Sequence, residues 1–233
     1  MDESVESERS DGRGVGSTER VEELLRPDDR LVERVASREV AGMGLIFEVQ
    51  RLDVVCPDGS HARRDVLLHH GGAGVCAVRD GRICLVRQYR VALGRMTLEI
   101  PAGKLEAGED PAVCAARELE EETGLVAESL ERIAVSAGAP GFNDEKTRIF
   151  MAHGLHRHEA SPDEGEFVDV VWLPLEDVMA AIRAGLVEDA KTVISVYEAL
   201  ARGMGRPAMT GPAAADARSE DSRAPRGSRQ RLR

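Results

Sequence analysis

Residues 103–125 read Gly-Lys-Leu-Glu-Ala-Gly-Glu-Asp-Pro-Ala-Val-Cys-Ala-Ala-Arg-Glu-Leu-Glu-Glu-Glu-Thr-Gly-Leu, and this run limits what the chain can fold into more than any other. Asp110–Glu122 reads as a helix, because Pro111 sits early, where a missing N–H is harmless, and Gly124 falls just past the end. Ala112, Ala115, Ala116 and Leu119 would anchor one face of it. Glu118 and Glu122, four apart, would stack their carboxylates on another, with Glu121 projecting beside them. Like charges at this spacing repel by a few tenths of a kcal/mol per pair, so the cluster makes physical sense if a cation sits over it. Oxygen donors favour Mg²⁺ or Mn²⁺, whereas Zn²⁺ more often recruits His or Cys. Arg117 can reach back toward Glu109 and fix the preceding loop.

A cation would also answer a question that the charge raises. The formal net charge is −11, which argues against broad nucleic-acid binding, so an anionic substrate needs a metal or local arginines. Aromatic residues are scarce, at one Trp, two Tyr and four Phe, and the core must be aliphatic. No apolar run approaches the roughly 20 residues that cross a bilayer, and the start, MDESVESERS, lacks the features of a signal peptide, so a cytoplasmic location is expected. Cys56, Cys76, Cys84 and Cys114 have no C-x-x-C spacing and read as small packed hydrophobes.

Residues 1–25 are polar and charged without apolar periodicity and read as a tail, as do residues 205–233, which are Pro/Ala/Ser/Arg-rich and basic. Residues 26–204 should form one domain. Strands are expected at Ser37–Val40, Leu45–Val55 and Arg64–His69, the last after a Pro57-Asp58-Gly59 turn, making a meander. Ala73–Val78 and Ile83–Gln88 flank Asp80-Gly81, a pair that suits a two-residue hairpin. Further strands are expected at Thr97–Ile100, Ser129–Val135, Thr147–Ala152 and Phe167–Leu173, and helices at Leu175–Ala184 and Ala190–Ala201. Strands on both sides of a central helix, closed by C-terminal helices, give an α/β fold with a mixed sheet packed between helices.

Gly103, Glu109 and the Arg117-Glu118-Leu119-x-Glu121-Glu122-x-Gly124-Leu125 segment resemble the Nudix box at every defined position. The resemblance implies the Nudix fold, an α/β/α sandwich in which the box forms loop–helix–loop. It also implies metal-dependent hydrolysis of a nucleoside diphosphate linked to another group. By resemblance Glu118, Glu121 and Glu122 would coordinate the metal, together with the carbonyl of Ala102, and Gly103, Glu109, Arg117 and Gly124 would shape the box.

Three segments outside the box resemble the ADP-ribose pyrophosphatase branch. These are Gln88-Tyr89-Arg90, Glu99-Ile-Pro-Ala-Gly103, and Ala139-Pro140-Gly141-Phe-Asn-Asp-Glu145, in which Pro140 lies fifteen residues after Leu125. The segment Gly185–Thr192 is similar to that branch's entry into its C-terminal helix. The branch implies ADP-ribose as substrate, cleaved to AMP and ribose 5-phosphate, with Arg90, Glu99, Pro140 and Gly141 at the substrate. It implies Glu145, on a mobile loop, as the group that orients or deprotonates the attacking water, with Glu121 as the alternative base. It further implies a homodimer that exchanges N-terminal strands.

Ala139 departs from the serine expected before Pro140, and position 142, where members acting on dinucleoside polyphosphates tend to carry Tyr, holds Phe142. The extra motif of NADH-cleaving members is absent. Two other readings are a hydrolase of another nucleotide sugar such as GDP-mannose and a noncatalytic nucleotide-sensing module, against which the intact box speaks. His153, His156 and His158 crowd one segment, but on a strand the first faces away from the second, and no carboxylate or thiol spacing accompanies them. Trp172 reads as core.

Overall fold

The computed structural model describes residues 18–157 and 167–205. The two expected tails lie mostly outside that range, although Glu19–Leu24 forms a short helix, α1, with no buried residue. Contacts divide the chain into two compact units. The first runs to Gly72 and adds Lys104–Gly108 and Ala137–Thr147; the second comprises Ala73–Gly103, Glu109–Ser136 and the residues from Arg148 onward.

In the first unit β1 (Arg34–Met43), β2 (Phe47–Val55) and β3 (His61–His69) form the expected antiparallel meander, with Arg34 opposite Val55 and Phe47 opposite His69. The Pro57-Asp58-Gly59 turn closes as its residue types require. Gly59 takes φ +83°, and the Asp58 carboxylate accepts from the Ser60 N–H at 2.9 Å. Strand β1 is exposed along almost all of its length.

The second unit mainly carries β4 (Gly72–Cys76), β5 (Val78–Arg79), β6 (Arg82–Arg90), β7 (Arg95–Glu99) and β8 (Ala102–Lys104). Then come α2 (Pro111–Thr123), β9 (Leu125–Val126), β10 (Ser129–Ala137), β11 (Lys146–His153), β12 (His156–Arg157), β13 (Asp169–Pro174), α3 (Leu175–Arg183) and α4 (Ala190–Ala201). The hairpin around Asp80-Gly81 is present, with φ of 52° and 73° at the two turn residues, but only β5 and β6 take part in it. Ala73–Cys76 belongs instead to a sheet of order β10-β11-β4-β8, while β6 lies in one of order β13-β6-β5 and also pairs β7. The chain changes sheets between Cys76 and Val78, a switch that an unbroken apolar run does not reveal.

The core of this unit is aliphatic, as the composition requires. Cys76, Ile83, Leu85, Ile149 and Met151 of the strands cluster with Leu175, Val178, Met179, Val196 and Ala199 of α3 and α4. Cys76, Cys84 and Cys114 are buried free thiols. No helix among the described residues is long and apolar enough to cross a membrane.

Candidate active site

Helix α2 is built as the sequence predicts. The Asp110 side chain accepts from the Ala112 N–H at 2.8 Å, Pro111 opens the helix, and Gly124 ends it in the left-handed conformation at φ 65°. Cys114, Ala115 and Leu119 are fully buried and fix its apolar face. That anchoring draws Glu118 and Glu122 inward, leaving them 8% and 7% exposed, and carboxylates so placed are costly without partners.

Arg117 supplies much of that partnership. Its Nε donates to Glu109 at 3.2 Å, as the sequence predicts, and its Nη1 donates to Glu118 at 2.8 Å and to Glu121 at 2.9 Å. The hydrogen bonds to Glu109 first, and then those to Glu121 and the charge of Glu118, hold the guanidinium pKa above its already high value. Glu122 turns elsewhere and accepts from the Ala102 N–H at 2.9 Å. Gly103 permits this close packing, since a Cβ there would lie 1.8 Å from a Glu118 carboxylate oxygen. Burial meanwhile pushes the Cys114 thiol up to about 12, which makes it an inert packing group.

Of the three carboxylates expected to converge, two share a partner. Glu118 and Glu121 meet on Arg117, Glu122 meets a backbone amide, and among the described residues no three His, Cys, Asp or Glu side chains form a metal-holding group. Arg117 faces three carboxylates, Glu109, Glu118 and Glu121, and the donors that Glu118, Glu121 and Glu122 offer are all oxygen. That is the chemistry a hard divalent cation takes.

Arg90 and Glu99, predicted at the substrate, come together in the β6–β7 hairpin. The Arg90 fork binds both Glu99 oxygens at 2.8 Å, while Lys191 donates to Glu99 at 2.5 Å and to Asp189 at 2.8 Å. Burial alone would raise the Glu99 pKa, but the Arg90 hydrogen bond and the Lys191 charge outweigh it and hold the carboxyl at about 2. Arg90, Glu99 and Asp189 border a cavity of about 380 Å³ that Arg95, Glu188 and Leu186 also line, with Arg95 and Glu188 paired. Lys191 and Asp189 are missed by a reading that treats their segment only as a helix start. Asp189 is indeed the cap of α4, accepting from the Thr192 N–H at 3.0 Å.

Pro140, Gly141 and Glu145 lie in the first unit. Their segment, expected as a mobile loop, is tied to β3 by Leu67 N–H to the Phe142 carbonyl at 2.7 Å and Asp144 N–H to the Leu67 carbonyl at 3.1 Å. The histidine segment holds no metal-like arrangement among the described residues. His153 meets Glu131 at 3.3 Å, His156 meets the Gly154 carbonyl at 3.1 Å, and His158 lies outside the described residues. Trp172 is partly buried under Arg79, whose guanidinium carbon is 5.0 Å from the ring centroid.

The family model for the NUDIX domain matches residues 68–195, more than half of the chain. A methanol dehydrogenase activator of Bacillus methanolicus is 41% identical over 167 residues, covering 70% of this chain and 90% of that protein. An ADP-ribose pyrophosphatase of Bacillus subtilis (strain 168) is 40% identical over 169 residues, covering 71% of this chain and 91% of that protein. Among solved structures, an ADP compounds hydrolase superposes with a TM-score of 0.65 at 23% identity, covering 75% of this chain and 96% of that one, a likeness of fold. With the box intact on α2 and the family's domain matched across it, the chain belongs to the Nudix family.

Proposed function

We propose that this chain is a Nudix pyrophosphohydrolase that cleaves the diphosphate bond of ADP-ribose, releasing AMP and ribose 5-phosphate, with Mg²⁺ as its cation and Mn²⁺ as a substitute. The observation that carries the reading is the likeness to the Bacillus subtilis ADP-ribose pyrophosphatase along nearly that protein's whole length. Glu118, Glu121, Glu122 and the Ala102 carbonyl would hold the metal, which supplies a Lewis acid that offsets charge on the diphosphate and lowers the pKa of the attacking water. Arg117 keeps Glu118 and Glu121 in register, and Glu109 keeps Arg117. Glu145 takes the proton of the water, with Glu121 as the competing assignment.

The charged groups that line the Arg90 cavity are Arg90 and Arg95 against Glu99, Glu188 and Asp189, so carboxylates outnumber cations there. A wall richer in carboxylate acceptors than in cations suits the hydroxyls of a terminal ribose better than a diphosphate. Pro140 and Gly141 are assigned to the substrate by their resemblance to the branch. The full chain with Mg²⁺ should be offered ADP-ribose, NADH, GDP-mannose and diadenosine polyphosphates, with products identified. The highest kcat/KM should fall on ADP-ribose; preference for GDP-mannose would move the assignment to that substrate, and no turnover of any would leave a nucleotide-sensing module.

Two variants test the parts. Glu145→Gln should lower kcat by roughly a hundredfold with little change in KM. Unchanged kcat would remove Glu145 as base and favour Glu121. Gly103→Ala should displace the Glu118 carboxylate and cost roughly a hundredfold in activity, because misplacement of about an ångström is enough for that. Its melting temperature should change little, and a fully active variant would show that the contact has no bearing on catalysis.

A homodimer exchanging N-terminal strands belongs to the same proposal. Val40 and Met43 of β1 and Leu45 and Ile46 beyond it are exposed, an apolar edge suited to a second copy of the chain. Gel filtration showing a fully active monomer would refute it.

A further inference from the structure

Glu145 follows an Asn-Asp pair in a segment that is well tied to the end of β3. The Asn143 Oδ1 accepts from the Glu145 N–H at 2.8 Å, and its Nδ2 lies 3.4 Å from the Glu145 Oε2. The amide orientation is not arbitrary: a backbone N–H can be met only by the side-chain oxygen, so the NH₂ must face the carboxylate. His69 stands at the other oxygen. Its side chain is 8% exposed, its Nδ1 is 3.6 Å from Glu145 Oε1, and the same nitrogen accepts from the Gly71 N–H at 2.9 Å. The His69 backbone N–H donates to Asp144 Oδ1 at 2.8 Å, which fixes the ring's origin relative to the loop.

We infer that Asn143 is a positioning residue for Glu145, setting the direction of its carboxylate through the amide NH₂, with His69 bounding the opposite oxygen. This inference rests on Glu145 being the base. Held by Asn143 at its own N–H and at one carboxylate oxygen, Glu145 keeps a fixed direction in which to meet the water. His69 acts differently. While its Nδ1 accepts from Gly71 it has no proton to give Glu145, so the base is bounded on that side without being neutralised. Other titratable groups around this corner include Asp144 on the loop, Lys146 directly after Glu145, Glu48 on β2, His70 after β3, and Lys104 and Glu106 on the segment whose Leu105 N–H meets the Gly71 carbonyl.

Asn143→Asp separates positioning from loop stability, because Asp keeps an acceptor for the Glu145 N–H but presents an anion where the donor stood. The variant should show kcat lowered about tenfold, KM within about twofold of the parent, and the acid limb of the kcat–pH profile moved to higher pH. A residue that only stabilises the loop would leave that limb in place. His69→Gln removes the imidazole from the other side and should also change the acid limb, which gives a second readout if Asn143→Asp folds poorly. In a Glu145→Gln background the Asn143→Asp effect should vanish. A parent-like kcat and pH profile in both Asn143→Asp and His69→Gln overturns the inference, as does an Asn143→Asp loss that persists undiminished without Glu145. Full activity of Glu145→Gln alone instead overturns the assignment of the base, so the two failures are distinguishable.

Discussion

Replacing Glu118 by Gln is expected to lower kcat by roughly a thousandfold while leaving the fold intact, because it removes one charge from the proposed metal cradle and no volume. Gln retains a carbonyl oxygen for the Arg117 Nη1 donor now 2.8 Å from Glu118, and it still fits beneath Gly103. Removing the charge also relieves repulsion from Glu121 and Glu122, so the melting temperature should stay level or rise slightly. Half-maximal activity should require more Mg²⁺. The control is Glu120→Gln on the same helix, outside the proposed ligand set, whose kcat should stay within about twofold of the parent. Should Glu118→Gln retain parent-like kcat and Mg²⁺ dependence, the buried carboxylates of α2 are packing and ion-pair groups, and the metal must be held elsewhere.

The parts of this site that sequence reveals are those whose partners are near in the chain or fixed by a helical period. Asp110, Pro111 and Gly124 mark α2 to within a residue, and the Arg117–Glu109 pair follows from a helix and the loop before it. The meander and the two C-terminal helices are legible for the same reason, since turn residues and apolar periods are local signals. What sequence hides is competition among partners. Arg90 reads as a group at the substrate, yet its fork is taken by Glu99, a pairing created by the register Gln88 to Thr97 and Arg90 to Arg95 in the β6–β7 hairpin. Glu122 reads as the equal of Glu118, yet it accepts from the Ala102 amide while Glu118 accepts from Arg117. Asn143 and His69 are 74 positions apart and meet at Glu145 because the segment after Ala139 lies along β3, which no local pattern encodes.

Glu99→Gln is expected to destabilise the protein by about 3 kcal/mol, since it leaves part of the positive charge of Arg90 and Lys191 without its buried counter-ion. For a chain of this size that corresponds to a fall of roughly 10 °C in melting temperature. Lys191 is the more consequential partner. It is only 14% exposed, against 44% for Arg90, so water can resolvate the arginine more readily than the lysine. The same carboxylate gives the fold an acid sensitivity whose sign is fixed. Its pKa is about 2 in the folded chain and near its ordinary value of 4.5 when unfolded, so its contribution is complete above 4.5. That contribution is lost as pH falls from 4.5 toward 2. The parent should therefore lose stability over that interval more steeply than Glu99→Gln, and the two melting temperatures should converge near pH 2. Parallel curves from pH 6 to pH 2 would mean that the Arg90–Glu99–Lys191 network contributes nothing net to stability, leaving shape and charge at the cavity wall as the reason for its presence.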